Sequence, residues 1–421
     1  MMKTIITFLF VFSAIVVFHE FGHYYFARKA GILVREFSLG MGPKLFGHQG
    51  KDGTTYTVRM LPLGGYVRLA GLNEEDELEP GMEVTLFIDE NDQVYLIDLT
   101  EDGDYEALPV RVDYADLAEE MIIEGFPMGS DTLTRYSVSK TAQIKEQDGT
   151  LVPVAPIESR YESASVSRKM MTNFAGPMNN FILSVLVFML VGFLLPGIPT
   201  NENVVGELIE DMPAIEAGLQ TGDRILAVDG VEVSNWQELS TEIARHPGEA
   251  VNFQVERDGQ AFDQSVQVDS VSHEQTGEVS GAIGIVRPQR TGFFDRVKYG
   301  FTETWAIMTG VVSALYHLIF RDFNLNMLGG PVAMAQMTGE VVDYGFIAIL
   351  QLMAYLSANL GIVNLFPLPA LDGGKLVSNV IEGIRGKPVS QEVEGIITIV
   401  GVAILVLLML AVTWNDITRL F

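Results

Sequence analysis

The chain contains no cysteine among its 421 residues. Disulfide bonds and cysteine-based zinc or iron–sulfur sites are therefore excluded, so any bound metal must be held by His, Asp or Glu. Charged residues are also scarce, at 19% of the chain, whereas hydrophobic residues make up 48%. This balance is too apolar for an ordinary soluble protein and indicates a membrane protein.

Basic residues are in the minority, since 27 Lys and Arg stand against 54 Asp and Glu. No basic stripe exists to neutralise phosphates, so nucleic-acid binding is not expected. The acidic excess is concentrated between residues 73 and 160, which hold 23 acidic and 5 basic residues. Short β-like runs such as Val94-Tyr95-Leu96-Ile97 lie there. We therefore expect an acidic, mostly-β insertion over residues 73–165, on the cytoplasmic side.

Long apolar stretches are the main positive feature of the sequence. Four of them approach or exceed the roughly 20 residues that a helix needs to cross the hydrocarbon core, at about 4–27, 174–198, 345–368 and 395–414. No small-residue cleavage site follows the first stretch, so we expect a retained helix and not a signal peptide. A further stretch, 301–320, is apolar with polar interruptions and predicts an amphipathic surface helix. A fifth span is the competing interpretation of that stretch.

Lys and Arg gather after the first predicted span, before the second, and between the third and fourth. Such residues mark cytoplasmic loops. The pattern predicts that both termini and the long segment from about 200 to 344 lie outside the cell.

The segment His19-Glu20-Phe21-Gly22-His23 ends the first span. Two histidines four positions apart on a helix stand on one face and can bind one zinc ion. Glu20 is placed to act as general base on the attacking water. Ionisable residues at the end of an apolar span are costly and are functional candidates. The alternative is a coincidental helix end with interfacial histidines.

A catalytic zinc site needs a third protein ligand. Asp372 is the best candidate, because Pro367 and Pro369 break the helix of the third span just before it. The bend can aim Asp372 into the interior, where irregular backbone is tolerated at membrane depth. The alternative is an ordinary loop with an Asp-Gly-Gly turn.

Residues 200–290 contain a compact α/β module. The runs from Pro213 to Leu219 and from Gly222 to Gly230 resemble the PDZ family. PDZ modules bind extended peptides by strand addition. A size filter or spacer is the alternative role.

The zinc motif in the first span, the Asn364–Gly374 segment in the third and the PDZ module between spans two and three together resemble the site-2 protease family. They resemble its RseP branch, which includes the Gram-positive RasP and Eep type. The resemblance implies that His19, His23 and Asp372 bind one zinc ion and that Glu20 is the base. It also implies the bacterial plasma membrane. The Lys and Arg distribution places the active site towards the cytoplasmic side. The acidic insertion, and room for one PDZ module where some members have two, depart from the family pattern.

Further residues match the family individually. Asn364 corresponds to a residue implicated in substrate contact or catalysis. Gly64 and Gly65 fall in a membrane-associated β-hairpin thought to pair with the substrate, and the pair also predicts a hairpin turn after a strand at about 54–60. Asn173 and Asn180 fall in a loop before the second span that is linked to substrate handling. Helix caps and a helix-entry turn at Gly176-Pro177 are the structural alternative for that loop.

The predicted fold is a multi-pass α-helical membrane protein with about four transmembrane helices, a β-hairpin, the acidic insertion and one extracytoplasmic PDZ domain. Its predicted segments are 1–72, 73–165, 166–199, 200–290, 291–344 and 345–421.

The expected function is regulated intramembrane proteolysis by a zinc metalloprotease. The resemblance implies substrates such as anti-sigma-factor-like membrane proteins, signal-peptide remnants or pheromone precursors, which are cut within the lipid bilayer. One alternative is an integral zinc protease of another family, with Glu as the third ligand. Another is a non-enzymatic PDZ scaffold or metal transporter.

Overall fold

The computed structural model of the protein describes residues 2–72, 78–100, 107–272, 279–321 and 329–418. The first five residues of the predicted insertion, 73–77, lie outside this part of the chain. Two compact units are formed, one by Met1–Phe188 with Thr302–Phe421 and the other by Met189–Phe301. We call them the first and the second unit. The six predicted segments are a finer division and stay a prediction.

The described residues form nine α-helices and two short 3-10 helices. The α-helices are α1 (Met2–Lys29), α2 (Val166–Leu194), α3 (Pro213–Glu216), α4 (Trp236–Ala244), α5 (Phe293–Phe320), α6 (Pro331–Tyr344), α7 (Phe346–Asn364), α8 (Asp372–Arg385) and α9 (Gln391–Thr418). The 3-10 helices are Ile157–Ser159 and Tyr161–Ser163.

The same part of the chain forms eighteen strands. They are β1 (Val34–Gln49), β2 (Thr55–Leu69), β3 (Glu83–Ile88), β4 (Gln93–Asp98), β5 (Leu108–Asp116), β6 (Ile122–Pro127), β7 (Thr134–Lys145), β8 (Leu151–Pro153), β9 (Ile198–Pro199), β10 (Glu207–Leu208), β11 (Arg224–Val228), β12 (Val231–Glu232), β13 (Ala250–Arg257), β14 (Gln260–Gln267), β15 (Asp269–Ser272), β16 (Val279–Ala282), β17 (Ile285–Val286) and β18 (Gln289–Arg290).

Five of the described helices are long and apolar enough to cross a membrane, judged by length and composition only: α1, α2, α5, α7 and α9. Four of them coincide with the four predicted spans. The additional one is α5, whose most apolar window has a mean hydropathy of 1.2, against 3.0 for α9. Both interpretations of residues 301–320, surface helix and fifth span, are compatible with this composition.

The predicted loop before the second span is wrong, because α2 begins at Val166 and includes Asn173 and Asn180. Pro177 lies inside this helix. A proline removes one backbone hydrogen bond, yet the helix continues on both sides of it. Packing supports this stretch, since Gly22 of α1 lies directly against the backbone of Ala175.

Strands β1 and β2 form the hairpin, and its turn lies at residues 50–54, where Gly50 N donates to the Thr54 carbonyl. The predicted turn at Gly64-Gly65 is wrong, because both glycines lie within β2. Phe37 pairs with both Tyr56 and Val67, so two stretches of β2 lie on either side of β1. The Gly-Gly pair bends β2 between them, with Gly64 at a φ of +86°.

The acidic insertion is mostly β, as the sequence predicts. Its strands are ordered β4-β3-β5-β6-β7-β8, and an additional parallel pairing of β4 with β7 closes the sheet on itself. Inward-facing aliphatic residues such as Leu86, Ile97 and Ile123 fill the centre. The acidic residues mostly face solvent, which explains how so charged a segment still buries a core.

The second unit contains a four-stranded sheet, β12-β11-β13-β14, with α4 against its core. The alternation of Val251, Phe253 and Val255 places these side chains inside. Asn235 caps α4 by accepting from Glu238 N, while the Glu238 carboxylate accepts from Ser234 N. This reciprocal cap fixes the start of the helix.

The helices after α5 belong to the first unit. α6 contacts α1, α7 and α9, so this part of the predicted surface segment packs among helices. The Asp416 carboxylate of α9 accepts from Gly330 N and Ala333 N at the start of α6. α7 ends at Asn364, and after a short proline-containing turn α8 begins at Asp372.

Candidate metal centre

Two helices bring three candidate ligands together. His19 and His23 lie one turn apart on α1, and Asp372 is the first residue of α8. Asp372 Oδ2 is 3.2 Å from Nε2 of each histidine, and the two Nε2 atoms are 3.2 Å apart. Among the described residues, this is the one group of three or more His, Asp and Glu side chains placed to hold a metal.

The donor set and spacing fit zinc. Tetrahedral zinc with ligand distances of about 2.0–2.1 Å holds its ligand atoms about 3.3 Å apart. The three atoms here are 3.2 Å apart and buried or half-buried. Two imidazoles and one carboxylate also match a catalytic zinc site, which keeps a fourth position open.

The ring nitrogens facing away from the centre have partners. His23 Nδ1 donates to the carbonyl of Thr172 at 2.8 Å, which leaves Nε2 free to bind a metal. His19 Nδ1 lies 3.1 Å from the Asn180 amide nitrogen. The Asn180 Oδ1 atom has no hydrogen-bond partner among the residues described. A 180° rotation of this amide places Oδ1 at Nδ1, the acceptor that a metal-bound histidine requires.

Small residues let α1 and α2 approach each other at the centre. A Cβ added to Gly22 would lie 2.3 Å from the Ala175 carbonyl oxygen. A Cβ added to Gly176 would lie 2.3 Å from His23 Nε2 and 2.8 Å from His19 Cε1. Both glycines are therefore required by the packing around the histidines, a role like that of small residues in membrane helix pairs.

A cavity of about 430 Å³ opens at the three ligands. Glu20 lines it beside them, and Asn364 lines it from α7, with its amide nitrogen 3.5 Å from His19 Nε2. Gly64, Gly65 and Asn173 also line it. The structure thus brings all of the sequence-predicted site residues to this centre or its cavity except Asn180, which lies behind His19.

The hairpin reaches Glu20 at Gly65. A Cβ at Gly65 would lie 3.4 Å from Glu20 Cγ and 3.0 Å from Val16 Cγ1. The next residue, Tyr66, donates its hydroxyl to Glu36 at 2.8 Å. Burial raises the pKa of Tyr66 above its usual range, and the hydrogen bond to Glu36 adds to the shift. The hairpin therefore lines the cavity at Gly65, and the hydrogen bond between Tyr66 and Glu36 holds the adjoining backbone in place.

Two residues of this centre were missed by the sequence interpretation of function. Lys375 lines the cavity, and its spacing of three residues after Asp372 was the available signal. Gly176 was interpreted only as part of a helix-entry turn. Its contact with the histidines depends on helix packing, which no local pattern reveals.

The model of peptidase family M50 matches residues 7–408. A Lactococcus lactis protein, LL2128, whose name describes it as a zinc metalloprotease, is 44% identical over 435 residues and covers 100% of both chains. The "Probable protease eep" of Enterococcus faecalis is 44% identical over 424 residues, again with 100% of both chains covered. The zinc metalloprotease RasP of Geobacillus kaustophilus is 42% identical, covering 100% of this chain and 99% of the relative.

Among solved structures, the PDZ domain of the SdrC-like protein from Listeria monocytogenes matches 21% of this chain and 90% of that chain. Its identity is 22% and its TM-score is 0.18. A score this low supports no conclusion about this chain.

Proposed function

Since the chain belongs to peptidase family M50, we propose that His19, His23 and Asp372 hold one zinc ion and that Glu20 acts on the attacking water. The chain is a zinc metalloprotease of the site-2 type. The observation that carries the residue assignment is the triangle of ligand atoms, 3.2 Å on each side, in a cavity that Glu20 also lines.

Each residue has a defined task. A zinc ion held by the three ligands would polarise the substrate carbonyl and lower the pKa of a water molecule. Glu20 takes the proton of the attacking water and returns it to the leaving amine nitrogen. Asn364, whose amide lies beside His19, donates to the carbonyl oxygen of the bond being cut.

The hairpin presents the substrate. A helix hides its carbonyls in internal hydrogen bonds, so a membrane span must unwind before it can be cut. Gly64 and Gly65 expose β2 backbone to the catalytic cavity beside Glu20. An extended substrate segment can pair with this backbone, as in strand addition. Asn173 lines the same cavity from α2 and contacts the segment from the other side.

Asn180 has a different role from the substrate contact predicted for it. It is fully buried and contacts His19, not the cavity. We assign it the task of orienting the His19 ring for metal binding.

Single-span membrane proteins and remnant signal peptides are the proposed substrates, cut in regulated intramembrane proteolysis at the bacterial plasma membrane. The Lys and Arg distribution supports a cytoplasmic active site, with both termini and the PDZ-like domain outside. This orientation requires α5 to lie on the surface, because a fifth crossing would reverse everything after it. Single cysteines added to the cysteine-free chain on both sides of α5 report the orientation through labelling by an impermeant thiol reagent.

The second unit supports peptide capture. A groove of about 320 Å³ runs between α4 and residues 281–285, with Leu239, Ile243 and Ile283 in its wall. It suits an apolar side chain of an extended peptide. Under this proposal, Ser240→Trp, which fills the groove from an exposed lining position, weakens cleavage of a substrate that carries its external tail but not of a tail-less substrate. If the second unit is only a size filter, the same substitution should not weaken cleavage of the tailed substrate. Cleavage of the tail-less substrate should also stay unchanged, since that substrate already passes the filter.

The experiment that tests the catalytic assignment compares wild type with Glu20→Gln on a single-span substrate in liposomes. We expect the variant to keep its zinc and to lose at least about a thousandfold in turnover, because proton transfer is removed. Retained wild-type turnover would overturn the role of Glu20. Asp372→Ala should lose zinc as well. Full zinc occupancy in that variant would favour a protease with another third ligand.

A further inference from the structure

A second cavity lies beside the catalytic one in the first unit. Its volume is about 960 Å³, more than twice that of the catalytic cavity. The start of α2, the second half of α8 and the start of α9 bound it, and Leu72 lines both cavities. Zinc ligation and proton transfer do not involve it.

The polar face of α8 connects the two cavities. Asp372 and Lys375 line the catalytic cavity, whereas Asn379 and Glu382 line the second one. Their spacing of three, four and three residues places all four on one helix face. At 1.5 Å per residue, this face extends about 15 Å from the metal centre.

The opposite wall is held in place by a network of polar contacts. Lys169 of α2 forms an ion pair with Glu382 at 2.8 Å, and its ammonium lies 5.4 Å from the Tyr161 ring centroid. The Tyr161 hydroxyl donates to Asn379 Oδ1 at 3.2 Å and accepts from Asn173 Nδ2 at 2.8 Å. The wall is therefore preorganised, which lowers the cost of binding a ligand.

One side-chain donor on the α8 side of the cavity lacks an acceptor. Asn379 is only 4% exposed, and its Nδ2 has no hydrogen-bond partner within the described part of the chain. A buried amide donor without an acceptor is destabilising, and native proteins rarely leave one so. An occupant of the cavity that carries a carbonyl oxygen would satisfy it.

We propose that this second cavity binds the polar segment that follows the substrate's membrane span, in extended conformation, with a backbone carbonyl accepting from Asn379 Nδ2. The proposal rests on the protease function given above. One water molecule occupies about 30 Å³ in the liquid, so the second cavity is much larger than a single row of water molecules would need. Its volume lies within the range of about 300–1,000 Å³ found for ligand sites. Arg385, Lys387 and Glu394 line it beside apolar residues such as Val393 and Ile399, and these charged groups favour a polar segment over a lipid tail.

The geometry also predicts a register. Asn379 and Glu382 lie seven and ten residues after Asp372, which corresponds to about 10 and 15 Å along α8. An extended chain advances about 3.3 Å per residue. The residues seated in the second cavity are therefore those about three to five positions from the cleaved bond, on one side only.

Disulfide cross-linking tests this register directly. The full chain has no cysteine, so Ser378→Cys, at a residue that lines the second cavity, introduces a single thiol. It is combined with Glu20→Gln so that the bound substrate is not cut. The probe is a designed single-span protein with a polar flank and one cysteine, moved through eight positions on each side of the bond that wild type cleaves. We expect cross-links at about positions three to five on one side.

Val380→Cys is the matched control, because Val380 is exposed on the same helix and does not line the cavity. It should cross-link weakly and without a preferred window. If the probe co-purifies with the Ser378→Cys enzyme but no probe position cross-links preferentially, the proposal is overturned. Failure of wild type to cut any single-span substrate would instead count against the catalytic assignment, which this cross-link does not measure.

A kinetic comparison distinguishes this proposal from the alternative that the second cavity only conducts water to the metal centre. Asn379→Leu should lower kcat/KM about three- to tenfold for the probe with its polar flank. For a probe that ends two residues after the bond, the change should stay within about twofold. Val380→Ala should leave both probes unchanged. An equal loss on both probes would indicate a water route or a structural role and would contradict the proposal, and unchanged zinc content excludes damage to the metal centre.

Discussion

Gly176 is the residue that most tightly constrains the metal centre from outside the ligand set. A side chain there would overlap His23 Nε2, one of the proposed ligand atoms. The backbone at Gly176 has ordinary helical φ and ψ angles. Glycine is therefore required because a side chain would have no room, and not because of an unusual φ. The nearest atoms belong to another helix, which explains why the sequence alone did not single it out.

We predict that Gly176→Ala lowers zinc affinity and turnover by more than about tenfold, because the added methyl displaces the histidines. Zinc content of the purified protein and cleavage of a single-span substrate measure the effect. Gly310→Ala is the control, since a Cβ there meets nothing within 4 Å. Full zinc occupancy in Gly176→Ala would contradict the packing that we describe.

Asn180 and its neighbour Asn179 offer a matched pair. Asn180 contacts the His19 ring, whereas Asn179 is bound to the Phe18 carbonyl at 2.8 Å. We predict that Asn180→Ala weakens zinc binding about 10- to 100-fold, as for other residues that orient metal-bound histidines. Asn179→Ala should change it little. Competition with a chelator measures the zinc affinity of both variants. Equal zinc affinities of Asn180→Ala and Asn179→Ala would exclude the orienting role of Asn180.

The hairpin is the element that places backbone beside Glu20. Its shape depends on Glu36, which is 1% exposed. One carboxylate oxygen accepts from Thr57 and forms an ion pair with Arg59 at 2.8 Å, and the other accepts from Tyr66. One buried side chain thus ties three parts of the hairpin together, because an ionised carboxylate accepts several hydrogen bonds.

We predict that Glu36→Gln loosens the hairpin, since Arg59 keeps only its longer ion pair with Asp148 at 3.5 Å and the hydrogen bonds to residue 36 weaken by about 1–3 kcal/mol. Turnover should fall while zinc content stays unchanged. Limited proteolysis at residues 50–61 should become faster. Glu119→Gln, at an exposed position, is the control. Unchanged proteolysis and turnover in Glu36→Gln would show that the hairpin keeps its position without this carboxylate.

At the scale of the whole molecule, the acidic insertion is joined to the hairpin. Lys44 Nζ lies 2.8 Å from Thr150 Oγ1, Gln143 donates to Gln49 at 2.9 Å, and Thr55 donates to the Leu151 carbonyl. The turn between β7 and β8 therefore supports the element that lines the catalytic cavity. The family resemblance had left this insertion without a role.

The second unit has its own stability determinant in Asp223. Arg257 binds its buried carboxylate through Nε at 2.6 Å and a terminal nitrogen at 2.7 Å. Burial favours the neutral acid, but the Arg257 hydrogen bonds and a backbone donor outweigh it and hold the pKa of Asp223 below its usual range. Because the pKa of Asp223 is lower in the folded state than in the unfolded state, its ionisation stabilises the folded unit at pH values above the unfolded pKa of about 3.9. This stabilisation is lost as pH falls through the folded-state pKa.

We therefore predict that the second unit loses stability as pH falls below about 4, and that Asp223→Asn removes this part of the pH dependence. Asp223→Asn should also be less stable at neutral pH. Trp236 fluorescence during denaturant unfolding reports the unit once Trp305 and Trp414 are replaced by Phe. Exposed Asp263→Asn is the control, and an unchanged pH profile in Asp223→Asn would count against the role of this pair.

Local patterns predicted what depends on local chemistry. Four apolar stretches predicted helices that the structure contains, and the spacing of His19 and His23 placed both side chains on one face. The strand at 54–60 and the mostly-β insertion also followed from residue type. Errors arose where neighbours in space decide the outcome. Gly64-Gly65 has turn-like composition but bends within β2, and residues 173–180 look like a loop but continue α2.

The sequence by itself determined that the chain is a membrane protein, that any metal must be held without cysteine, and that His19, Glu20 and His23 lie on one helix. These follow from composition and helical periodicity, which act over a few residues. Only the tertiary structure decided that Asp372 meets both histidines at 3.2 Å, that Gly176 and Asn180 lie against them, and that a polar face of α8 leads into a second cavity. These contacts join residues more than 150 positions apart, and packing between helices sets them.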